Sequence, residues 1–163
     1  MHLVGVKTDR IETSASLKQG GVGYSLGARH TDHSGNTWVY ILASLSIAQY
    51  DTIAVKSNYH ALPLTDAASK LPIELGFAQS AFADKGDSYG WVMTSGRPTV
   101  RVAIDCEPNV PLYITATAGV LDDATLSSMV QGVVITTSAT AAGGFAAVAT
   151  FPRIKWGASL SEI

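Results

Sequence analysis

The chain has 163 residues, of which 47% are hydrophobic and 15% charged, and its formal net charge at pH 7 is −2. This length is enough for one domain with its own hydrophobic core, and the absence of a basic block excludes nucleic acid as an expected partner. A single cysteine, Cys106, excludes an internal disulfide and any multi-cysteine metal site.

The beginning of the chain differs from the rest. Residues 1–25 contain clusters of small residues and glycine, at 12–16 and 20–23, without a sustained period. They predict an extended N-terminal arm, which must either stay mobile or become ordered against another chain because it has little to bury by itself. The start also lacks the features of an export signal, which predicts a protein that is made and kept in a cytoplasm.

Short strands are expected from residue 26 onward. Each of five segments combines β-branched and aromatic residues at strand length and is bounded by turn residues. These segments are 37–42, 53–55, 73–78, 90–94 and 99–104.

Two hairpins are expected in the second half of the chain. Residues 112–121 predict a hairpin whose turn requires a positive φ at Gly119. Residues 130–136 and 145–154 predict a final strand pair, with Pro152 at an edge or a bulge because proline cannot donate to a ladder.

The pattern therefore predicts an all-β fold. Residues 26–163 are expected to form a single compact β-barrel or β-sandwich-like domain of about eight or nine strands. Little helix is expected beyond one or two turns at 64–70. The long uncharged stretch 124–152 is interrupted by polar residues and glycines, so it predicts two strands and a loop, and no membrane partner is expected.

One histidine cluster has metal-ligand chemistry. His30, Asp32 and His33, with His60 elsewhere, carry the imidazole and carboxylate groups that bind zinc. Neither strand nor helix spacing places all of the neighbouring three on one face. We therefore expect polar turn residues and no metal.

No catalytic group is recognisable in the sequence. Cys106 lies between Asp105 and Glu107, whose negative charges oppose formation of a thiolate nucleophile. Asp122 and Asp123 are neighbours in a predicted turn and not a pair held across a cleft. We expect no enzymatic activity and no cofactor.

The aromatic residues allow two interpretations. They could line a sugar-binding surface, or they could pack in the core or a subunit interface. The residues concerned are Trp38, Tyr40, Tyr89, Trp91 and Trp156.

Several segments, taken in order, resemble bacteriophage capsid decoration (cement) proteins. One segment, 26–41, begins with Leu-Gly and continues with a polar turn and an aromatic strand. The next, 42–55, is a turn of small residues followed by a strand. The resemblance continues at 76–78, 89–92, 111–113, 117–121 and 132–135.

This resemblance implies a structural virion protein. Such proteins bind the major capsid protein on the capsid exterior and stabilise the shell, often as trimers, and no catalytic residue carries over. The resemblance thus predicts synthesis in a host bacterial cytoplasm, a final place in the virion, and a homotrimer. The alternative is a tail or head-fibre component that binds host carbohydrate or another virion protein.

The contacts with the capsid are expected in the arm. An extended arm can lie across neighbouring subunits and add strands to their edges. The candidate contact residues are Lys7, Arg10, Ile11 and Leu17.

Overall fold

The computed structural model describes residues 6–21, 23–125 and 127–155. These residues form eleven strands and two short helices, which confirms the all-β prediction with little helix. In chain order they are α1 (Ser14–Lys18), β1 (Arg29–Thr31), β2 (Thr37–Ala43), β3 (Thr52–Lys56), β4 (His60–Pro63), α2 (Asp66–Ser69), β5 (Ile73–Phe77), β6 (Ser88–Ser95), β7 (Thr99–Val102), β8 (Leu112–Ile114), β9 (Leu121–Asp122), β10 (Met129–Ile135) and β11 (Gly143–Lys155).

The first half of the chain closes into a small barrel. Five strands follow the order β2-β4-β3-β5-β6, and β6 pairs back onto β2. The β2–β4 pair is parallel and the others are antiparallel. Strand β1 adds to β2 as an extra antiparallel strand, with His30 opposite Trp38.

The second half closes into another small barrel. Its order is β10-β11-β7-β9-β8, and β8 pairs back onto β10. The predicted hairpin of β8 and β9 is confirmed by the pairing of Ile114 with Leu121. Gly119 in its turn has a φ of 78°, as predicted.

The prediction of a single compact barrel or sandwich-like domain is wrong, because the described strands form two barrels. Local alternation identifies a strand and its two faces, but it does not say which other strand pairs with it. Strands β2–β6 close into the first barrel, and strands β7–β11 close into the second.

Alternation along the strands sorts the side chains of the first barrel. Val39 and Ile41 of β2 lie in the cluster inside the barrel. Trp38 and Tyr40 alternate with these two residues along β2. They lie with Trp91 in a separate aromatic cluster on the outside of the barrel. Strand β2 is therefore buried on both faces, which explains its nearly continuous apolar sequence.

The two barrels share a core. Leu75 and Phe77 of β5 belong to the same buried cluster as Val100 and Leu112 of the second barrel. These side chains are at most 1% exposed. Because the cluster is continuous, the barrels pack as one body.

The N-terminal segment covers the outer aromatic cluster. Tyr24 and Leu26 pack against it, and Tyr24 meets Trp91 edge to face with ring centroids 5.0 Å apart. Glu12, only 3% exposed, forms a two-way backbone bridge with Tyr89. Among the described residues of the arm Glu12 alone is buried, while Ile11 and Tyr24 pack half-buried on the first barrel, so these parts of the arm are ordered against their own chain.

Residues 124–152 contain β10 and most of β11, as predicted. Among the residues that the structure describes, no helix is long and apolar enough to cross a membrane.

Asp51 ties the two barrels together. It is 3% exposed, and its carboxylate accepts hydrogen bonds from Arg101 Nη1 at 3.0 Å and Ala48 N at 2.9 Å. The neighbouring Thr52 N donates to Gly119 O at 2.9 Å. A Cβ on Gly119 would lie 2.5 Å from Asp51 Cγ, so the glycine is required for close approach as well as for its φ.

Replacing Asp51 should loosen this junction. Asp51→Ala is expected to lower the free energy of unfolding by about 2–3 kcal/mol, because it leaves the Arg101 and Ala48 donors without their buried acceptor. Urea unfolding measures this difference. The exposed Asp9 supplies the control, since Asp9→Ala should change stability by less than about 0.5 kcal/mol. Equal effects of the two changes would contradict the role of Asp51.

Candidate functional site

A cleft lies where the open end of the first barrel meets β11. Its volume is about 490 Å³. Strands β1, β2, β5 and β6 contribute most of the wall, and β11 contributes the remainder. The lining residues are Arg29, His30, Thr31, Thr37, Trp38, Glu74, Leu75, Thr94, Ser95, Phe151 and Pro152.

An ion pair spans the cleft wall. Both guanidinium Nη atoms of Arg29 donate to the carboxylate of Glu74, at 2.9 and 2.7 Å. The hydrogen bonds from this fork raise the pKa of Arg29, although partial burial opposes the shift. Glu74 is the cross-strand neighbour of Val55, whose side chain lies in the barrel core, but both partners of the ion pair are partly exposed.

The floor of the cleft is polar in part. Thr37 Oγ1 lies 3.0 Å from Thr94 Oγ1 and 2.6 Å from Ser95 Oγ. His30 packs edge to face on Trp91, and its buried Nδ1 has no hydrogen-bond partner among the described residues. The cleft therefore offers polar groups beside apolar wall residues, as binding sites in general do.

Phe151 stands out on the β11 side of the cleft. Its side chain is 83% exposed, and its φ of 46° lies in the left-handed region that non-glycine residues rarely adopt. The residue lies in a bulge, because the pairing jumps from Val133–Ala149 to Gln131–Arg153. Between these two pairs β10 advances by two residues and β11 by four. The bulge turns the aromatic ring into solvent.

The end of β11 has an unpaired edge. Strand β11 pairs with β10 at 147–149 and 153–155, with β7 only at 143–146, and with Gly96 only at Ala149. No other strand of the described chain pairs with 150–155. An unpaired edge is a surface onto which another chain can add a strand.

The candidate contact residues of the arm lie in different environments. Lys7 and Arg10 are exposed, and Arg10 forms an ion pair with the buried Glu12. Ile11 packs against the core of the first barrel, and Leu17 lies half-buried on α1. These four residues do not form one surface patch, and the structure does not test their role.

Asp32 and His33 lie in the turn after β1, whereas His30 lies in β1 itself and not in a turn as expected. The Asp32 carboxylate accepts hydrogen bonds from Asn36 Nδ2 at 2.9 Å, from Trp38 Nε1 at 3.1 Å, and from the backbone of Ser34 at 2.9 Å and Asn36 at 3.0 Å. Burial alone would raise the pKa of Asp32, but these hydrogen bonds outweigh it and hold the pKa below its ordinary value. The polar-turn interpretation of Asp32 is confirmed.

The fold does bring one metal-capable group together. Among the described residues, the ligand atoms of Cys106, Asp122 and Asp123 lie within 4.8 Å of one another. Burial raises the pKa of the Cys106 thiol to about 11, and the two carboxylates add to the shift. Because the thiol is buried and lies beside two carboxylates, it is a poor nucleophile in this environment.

The aromatic residues are core residues. Trp38, Tyr40 and Trp91 are 6, 2 and 1% exposed, so they have no face available for stacking on a sugar. Burial raises the pKa of Tyr40 to about 12, and the charge of Glu12 adds to the shift. Trp156 lies outside the described residues.

Sequence reasoning missed the principal groups of the cleft. Arg29 and Glu74 are 45 positions apart in the chain, and nothing in either segment indicates the other. Pro152 was expected at an edge or bulge, and this is confirmed. Of the residues singled out in the sequence, His30, Trp38 and Pro152 line the cleft, although none was predicted to contribute to this site.

The hydrogen bonds of Asp32 should make stability depend on pH. Because its pKa is lowered from 3.8 in the folded state, the contribution is present above about pH 4 and is lost as the pH falls through the folded pKa. Asp32→Asn removes this contribution. The free energy of unfolding in urea should therefore fall less between pH 7 and pH 3 in the variant than in the wild type. The same loss in both proteins would contradict the assignment.

The Cys106 thiol should be inert in the folded protein. With a pKa of about 11, it should react with iodoacetamide at pH 8 about 100-fold more slowly than in the unfolded chain. Mass spectrometry after timed quenching measures both rates, and the guanidinium-unfolded protein serves as the control. Equal rates would show that the thiol is neither buried nor shifted.

Comparison with known proteins assigns no function to the cleft or to the edge of β11. A scan against protein families finds no match, and a search of curated proteins finds none either. The cleft and the neighbouring edge of β11 are therefore the features on which a functional argument can be built.

Proposed function

We propose that the chain is a structural, non-enzymatic protein of a bacteriophage virion that binds the outer surface of the capsid and stabilises the shell, acting as a homotrimer. The observation that carries this proposal is the exposed Phe151 on the unpaired edge of β11, beside an open cleft. The resemblance to capsid decoration proteins supplies the identity of the partner.

The surface around Phe151 is suited to binding another protein. The Phe151 side chain is 83% exposed, so it buries little apolar area within the chain, and its backbone conformation is strained. Such residues are typical anchors of protein interfaces. The adjoining edge offers main-chain groups to an added strand.

A capsid is a favourable partner for such a surface. Only 15% of the residues are charged, so the chain can pack against another protein with little desolvation of ions. A shell repeats the same binding surface many times, and a trimer would engage three copies at once. Multiplicity then converts modest single contacts into firm attachment.

The alternative, a fibre component that binds host carbohydrate, has less support. It depended on aromatic side chains displayed at the surface, and three of these residues are buried in the aromatic cluster. The partly exposed Tyr89 remains, packed against that same cluster. A fibre component that binds another virion protein would use the β11 edge in the same way.

The proposal is tested by co-sedimentation with undecorated, expanded capsids of the parent phage. We expect saturable binding at a fixed ratio to the major capsid protein, and restored resistance of the shell to heat or chaotropes. Capsids of an unrelated phage serve as the control. If the protein stays in the supernatant with the parent shells, the capsid-binding function is wrong.

A further inference from the structure

The β10–β11 hairpin differs in charge from the rest of the chain. The whole chain carries a net charge of −2, but residues 129–155 contain Arg153 and Lys155 and no acidic residue. Arg97 follows Gly96, which pairs with Ala149 of β11. None of these three cations forms an ion pair with a described residue. The end of β11 therefore carries two cations, Arg153 and Lys155, and no carboxylate of its own.

We propose that the edge of β11 at 150–155 receives an extended, acidic segment of the capsid's shell protein as an added strand, with Phe151 as its apolar anchor. The inference rests on the proposed function and specifies which surface and which chemistry carry it. It places the principal contact on the second barrel and not on the N-terminal segment.

The end of β11 has an open backbone edge. Beyond Ala149 the outer edge of β11 has no strand partner in the described chain, so its main-chain donors and acceptors are open to pairing. Pro152 removes one donor, and the bulge bends the strand. Both features prevent indiscriminate strand addition, so a partner must also fit the side chains.

The end of β11 also lines the cleft. Phe151 and Pro152 line the cleft together with Trp38 and Leu75. The cleft volume of about 490 Å³ is large enough to admit an apolar side chain together with the backbone that carries it. A strand added along β11 would therefore have a side-chain pocket next to it.

Charge selects the chemistry of the segment. Arg153 and Lys155 are exposed on the same strand as Phe151, and Arg153 Nε already donates to Gln131 Oε1 at 2.9 Å, which holds its side chain in place. Carboxylates on the added segment would pair with these cations. Because the pairs lie at the rim of the contact, they should affect the association rate and its dependence on salt.

Two variants and a matched control test the inference in the shell-binding assay. Phe151→Gly removes the anchor and leaves a residue that accepts a φ of 46° without strain, so the fold should be kept and the thermal midpoint should not fall. Binding to expanded shells should weaken by about 10-fold or more. Ile104→Ala, which truncates another exposed side chain at 57% exposure, should bind as the wild type does.

Charge reversal tests the acidic partner. The double variant Arg153→Glu and Lys155→Glu should weaken shell binding by about 10-fold at low salt and reduce its dependence on salt concentration. If the wild type binds and both this variant and Phe151→Gly bind equally well, the inference is overturned but the capsid-binding function is left intact. Failure of the wild type to bind is instead a failure of the function.

Hydrogen exchange locates the contact directly. On binding to shells, amides in 150–155 should exchange more slowly than in the free protein. Protection confined to residues 6–21 would place the contact on the arm residues, including Lys7 and Arg10, and would overturn the inference.

Discussion

The shared core between the two barrels is the contact on which the rest of the structure depends. A barrel of five short strands encloses few side chains, so most of its stability must come from covering its outer faces. The outer face of β5 packs against the second barrel through Leu75 and Phe77. The outer face of β2 and β6 is covered by the N-terminal segment, which is therefore part of the first barrel's packing.

What these contacts leave uncovered is the end of β11. The strand is 13 residues long and continues past its neighbour β7, so its last residues have no second strand partner in the part of the chain that the structure describes. The bulge then exposes Phe151 beside the cleft. The surface proposed for binding thus arises because one strand is longer than the barrel that it helps to close.

Groups that carry chemistry in other proteins have structural roles here. The carboxylate of Asp32 organises the β1–β2 turn, and that of Asp51 joins the barrels. The Cys106 thiol is held protonated by burial and neighbouring carboxylates. Each of these groups is already engaged with the protein's own atoms.

The sequence by itself determined most of the strands, the short helix α2 and the β8–β9 turn, but not α1, β1 or β4. Alternation and β-branched content predicted β2, α2 lies within the helical turns expected at 64–70, and Gly119 adopts its positive φ, because these features depend on residues close together in the chain. The division into two barrels, the Arg29–Glu74 pair and the exposure of Phe151 were decided only by the tertiary structure. Local patterns fix a segment's conformation and its apolar face, whereas strand pairing depends on the relative free energies of contacts between distant residues, which no local pattern encodes.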